Sequence, residues 1–130
     1  MMKHDATKVQ VGGLEFHVMQ RRIGEDGGTT IEVYGDVEGK PFQVLRFDMF
    51  RKDPHFHYAP GDRVRDIQLH LDQKQAPQAL DWALTQIREN IPEMLRIAGF
   101  KPLAERVDRQ ALASQWTRVR DAATETVTPA

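Results

Sequence analysis

The side chains able to do chemistry concentrate between residues 48 and 70: Asp48, Asp53, His55, His57 and His70. His55-Phe56-His57 sets two imidazoles two positions apart. On a strand such residues share a face at about 7 Å, so both rings can approach one ion. Imidazole is the commonest metal ligand, and imidazole with carboxylate suits Zn, Fe, Mn or Ni. The pattern predicts a divalent metal (Zn, Ni or Mn) on His55 and His57, with His70, Asp48 or Asp53 as third ligand. Three protein ligands and an open position would permit hydrolytic or oxygen chemistry. Simpler roles exist for the same residues. Asp53 can shape an Asp-Pro turn, Asp48 can pair with Arg46 or Arg51, and the histidines can decorate a solvated sheet face.

Those residues need a sheet to hold them. Leu14, Phe16 and Val18 alternate with polar neighbours, as in a half-buried strand. Turn chemistry at residues 24–28 precedes a second strand around Ile31 and Val33. Gly39-Lys40-Pro41 marks the next reversal, and Phe42 to Phe50 forms a third strand, which Asp53-Pro54 must end or bulge because proline lacks the ladder N–H. His55 to Tyr58 is a fourth strand, Pro60-Gly61-Asp62 a turn, and Asp66 to Asp72 a fifth, with Ile67, Leu69 and Leu71 on its core side. The connections are short, which favours antiparallel neighbours. This phasing puts His17, His55, His57 and His70 on the face opposite the core, leaving His4 off the sheet. A hairpin about Gly61-Asp62 would set His57 opposite Asp66 and His55 opposite Gln68.

The period then changes to helical. Leu80, Leu84, Ile87, Ile91, Leu95 and Ala98 form one stripe, with Pro77 at its start and Gly99 past its end. The stripe keeps its phase across Pro92, so a kinked helix is expected. A second helix is expected from about Leu103 to Ala123. The fold class read from the chain is α+β: a five-strand antiparallel meander over about 9–72, then two helices over about 76–123 packed on one face. It is one domain of 130 residues with loose ends at 1–8 and 124–130.

Composition narrows the function. Cysteine is absent, which excludes thiolate nucleophiles and cysteine metal sites. Net charge is −1, without the basic excess of a nucleic-acid binder. No apolar run approaches the roughly 20 residues that span a bilayer, and Met1 to Lys8 is polar, so no membrane partner and a cytoplasmic setting are expected. Phosphate-binding glycine loops are absent. Ser114, the sole serine, lies in a helix. Arg21, Arg22, Arg51, Lys52, Arg63 and Arg65 are interspersed with acids and read as mixed surface.

The stretch Arg46-Phe47-Asp48-Met49-Phe50-Arg51-Lys52-Asp53-Pro54-His55-Phe56-His57-Tyr58 resembles a Phe-Asp-x-Phe-x-x-Asp-Pro-His-x-His-Tyr signature of small bacterial proteins of unknown function. In that family a helix with a Trp-Ala-Leu-like segment follows, here Trp82-Ala83-Leu84. The resemblance implies a bacterial origin and brings no catalytic assignment. The cupin His-x-His pattern does not fit, because Asp62 and His70 fall at the wrong spacing. Two readings of the histidine face remain: a metal or small-ligand site, or a homodimerisation or partner-binding surface.

Overall fold

The computed structural model describes residues 2–3, 6–72, 74 and 76–124. Its centre is an antiparallel sheet of β1 (Met2–Lys3), β2 (Thr7–Val11), β3 (Leu14–Ile23), β4 (Asp26–Val37), β5 (Lys40–Phe50), β6 (His55–Tyr58) and β7 (Ile67–His70). From β3 onward the strands run as a meander, each pairing with the next. This is the expected α+β architecture with two strands added. β2 pairs with the first half of β3 and β1 with Arg21 and Arg22 near its end, so much of the segment expected to be a loose leader is paired. Val9 and Val11 are buried in the core. His4, and the tail beyond Thr124, lie outside the described residues.

One face of the sheet builds the core. Leu14, Phe16, Val18, Ile31, Val33, Leu45, Phe47, Met49, Phe56 and Tyr58 project toward the helices. The strands therefore alternate because one face packs and the other does not. α1 (Ala79–Ile97) lies against β5 and β6, and α3 (Arg109–Thr124) against β2, β3 and β4. α1 carries Pro92 inside it. It ends at Gly99 (φ +97°), where the Gly99 and Phe100 N–H groups return to the Arg96 and Leu95 carbonyls, the bonding pattern of a glycine-terminated helix.

Two expectations need correction. The second helix is broken into α2 (Lys101–Glu105) and α3. Asp108 causes the restart: its carboxylate accepts the Ala111 N–H (3.0 Å) and so caps α3. Also, β7 is no core strand. Ile67 and Leu69 are 53% and 41% exposed, and of its alternating set Leu71 alone is buried. β7 is the sheet's edge, and α1 packs on β5 and β6. The alternation that marks a strand cannot report whether a helix reaches far enough to cover it.

Candidate metal centre

The β6–β7 register differs from the expected one by two residues: His55 faces His70 and His57 faces Gln68. The connection is longer than a turn at Gly61-Asp62. Ala59 (φ +54°) donates to the Val44 carbonyl, and the Asp62 carboxylate accepts the Val64 and Arg65 N–H groups. Arg65 reaches the Ala98 carbonyl at 2.8 Å and lies over the Phe100 ring, which ties this loop to the end of α1. On the other side, β5 pairs Asp48 with His55 and Arg46 with His57. The loop before β6 is pinned by Asp26, whose carboxylate accepts the N–H groups of Gly27, Lys52 and Asp53. Burial alone would raise the Asp26 pKa, but these three bonds and the Arg51 charge hold it low.

The histidine-bearing face is not wet at its centre. Asp48 and His57 are buried, as are Thr30 and Phe50 beside them. Asp48 Oδ1 accepts from Thr30 Oγ1 (2.7 Å) and Arg21 Nη1 (3.2 Å), while Oδ2 meets Arg46 Nε (3.0 Å) and His55 Nε2 (3.1 Å). Burial would raise the Asp48 pKa. The hydrogen bonds from His55 and Thr30 and the Arg46 charge outweigh it, holding the carboxyl far below the usual carboxylate range.

Hydrogen-bond chemistry assigns the rings. A guanidinium can only donate. His57 Nε2, 3.0 Å from Arg46 Nη2, therefore accepts, and its Nδ1–H goes to Asp66 Oδ1 at 3.0 Å. His55 meets acceptors on both sides: the Asp53 carbonyl oxygen at Nδ1 (2.9 Å) and Asp48 at Nε2. The Asp48 hydrogen bond raises the His55 pKa against the opposing effect of burial, with Asp53 adding to the rise. His70 Nδ1 lies 2.7 Å from Asp53 Oδ1, and its Nε2 lies 3.2 Å from the Gln68 amide nitrogen. His55 Nδ1 is thus turned on the Asp53 carbonyl and His70 Nδ1 on the Asp53 carboxylate.

The five residues singled out in the sequence fall into two overlapping groups with donor atoms within 4.8 Å of one another: Asp48–His55–His57, buried, and Asp53–His55–His70, more exposed. His55 belongs to both. His17 is on the same face but on β3, with β4 and β5 between it and β6. It bonds to Glu15 (2.7 Å) and lies tilted against the Tyr34 ring. Sequence reasoning did not assign Arg21, Thr30, Asp66 or Gln68 to the site. The outward phase of Arg21, Thr30 and Gln68 on β3, β4 and β7 was the available signal, with Asp66 just before β7, but the pairing of distant strands decides which of them meet.

The fold and this face define a class: an α+β protein whose open sheet face carries a histidine–aspartate–arginine cluster. The particular family is given by its domain model. The chain belongs to the family described as Domain of unknown function (DUF7700), which matches residues 8–123. Neither the curated proteins nor the solved structures yield a match. Among the described residues no helix is long and apolar enough to cross a membrane.

Proposed function

We propose that this protein binds a divalent cation such as Zn, Ni or Mn on the histidine-bearing face, at Asp53, His55 and His70. The observation that carries the reading is that a carboxylate oxygen of Asp53 and one ring nitrogen each of His55 and His70 lie within 4.8 Å of one another. A cation held between the three side chains would meet two imidazole nitrogens and a carboxylate oxygen, a donor set that suits these metals. Asp48 then acts from behind: it holds His55 Nε2–H and leaves Nδ1 for the ion, the carboxylate–histidine–metal arrangement.

Charge argues for this group over the buried one. Asp48 is already matched by Arg21 and Arg46. Unit charges about 4 Å apart interact by about 4 kcal/mol at an effective dielectric near 20, and a dication doubles the repulsion from each guanidinium. The lone pair of His57 is also taken by Arg46. The buried group is the second reading, favoured by the convergence of His55 and His57 Nε2 on Asp48 Oδ2 at 3.1 and 3.6 Å.

Metal content and thermal shift with added Zn, Ni and Mn test both. The exposed group predicts binding that is lost in His70→Ala and kept in His57→Ala. The buried group predicts the reverse. A protein that binds none of the three metals removes both readings.

A further inference from the structure

The outer edge of β7, unpaired among the described residues, carries a second signal, independent of any metal. Ile67-Gln68-Leu69-His70 is exposed on the last strand of the sheet, and two of its four residues are large and apolar. Edge strands that must stay apart use lysine, proline, a bulge or short length; this strand is short, at four residues, but has no lysine, proline or bulge. Its backbone is also oriented for pairing. The Leu71 N–H donates to the Pro54 carbonyl at 2.9 Å, so by antiparallel alternation the odd-numbered residues bond inward to β6. Gln68 and His70 then present their N–H and C=O groups to the open edge.

We infer that a second copy of this chain pairs antiparallel through β7, with Gln68 opposite Gln68 of the partner subunit, giving one sheet continuous across both copies. The occupant follows from self-complementarity. In this register Ile67 faces the partner's Leu69 on the helix side of the sheet, so two exposed apolar pairs close over each other. On the outer side His70 faces the partner's Asp66, an imidazole beside a carboxylate that is 35% exposed in the single chain. The Asp66 N–H is already given to the Asp62 carbonyl, so the outer bonds of the ladder run from the His70 N–H to the carbonyl of the partner's Asp66. The surface is isologous, as a two-fold dimer requires.

The chain has no cysteine, so single-cysteine variants report the register directly. Hydrogen-bonded antiparallel pairs hold Cα atoms about 5.5 Å apart, within disulfide reach. Gln68→Cys is expected to form a cross-linked dimer on mild oxidation, and Leu69→Cys, which faces Ile67 and not itself, to cross-link poorly. Sedimentation in EDTA, which removes any metal contribution, is expected to show a dimer for the wild type and for Ile23→Lys. Ile23 is an exposed apolar residue on β3. A monomer is expected for Leu69→Lys. A wild-type monomer at the highest soluble concentration, a dimer that survives Leu69→Lys, or cross-linking of Leu69→Cys in preference to Gln68→Cys would overturn the inference.

Discussion

Asp48 is the residue on which the outer face is organised. Its side chain is 2% exposed and meets two guanidinium groups, a hydroxyl and an imidazole. Removing one member of such a buried set leaves the others as uncompensated charge, which costs about 3–5 kcal/mol. Asp48→Asn is expected to lose that much in urea unfolding. The same contact sets a pH dependence in metal-free protein. His55 has its pKa raised chiefly by Asp48, with Asp53 adding to the rise and burial opposing it; His57 and His70 pack against the ring. A raised pKa contributes stability that is complete below the unfolded value of about 6.5 and is lost as pH rises through the folded value. Wild-type stability in EDTA should therefore fall as pH rises from that point, and Asp48→Asn should show a flatter profile. Equal slopes for the two proteins would refute the assignment. The sequence did allow Asp48 to pair with Arg46, two residues away on the same strand face. Arg21, twenty-seven residues distant, reaches it across β4, and no local pattern reports that.

At the scale of elements, the site depends on how closely β3, β4 and β5 approach where Arg21, Thr30 and Asp48 meet. Gly28 is the device. It pairs with Arg21 on one side and Phe50 on the other, at φ +157°. An added Cβ there would strike the Met49 carbonyl and come within 3.1 Å of Phe50 Cα. Both are backbone and cannot rotate away. Overpacking and strain together give an expected loss of about 3 kcal/mol for Gly28→Ala, or a Tm lower by about 10 °C for a domain of this size. A thermal scan that shows no change would mean the strands separate there at little cost. The four strands from β3 to β6 were legible because each buries one face against the helices, so alternation and burial coincide. The β6–β7 register was not. The turn residues Gly61 and Asp62 are present, but the chain from Ala59 to Asp66 is held by Val44, Asp62, Ala98 and Phe100, contacts that the pattern of the hairpin does not contain.

Across the whole molecule, the sheet is longer than its helical cover at the β7 edge and is finished at the other by a strand that the chain does not advertise. β2 shows two alternating valines before a Gly-Gly turn, too short a pattern to stand out from a polar leader. Yet Val9 is fully buried, Val11 nearly so, and α3 packs on this strand with Leu112, Val119 and Ala123 inward. Without β2 the inward side of α3 would lose one of the three strands it covers. Burying a valine contributes about 1.5–3 kcal/mol, and truncation adds the cost of the cavity left behind. Val9→Ala is therefore expected to cost roughly 2 kcal/mol, against a change of a few tenths at most for the neighbouring exposed Lys8→Ala. Urea unfolding of the two variants separates a structural strand from a loose leader. If β2 closes the core, Val9→Ala lowers the midpoint and Lys8→Ala leaves it in place; equal and negligible effects would mean that the core is complete without the first strands.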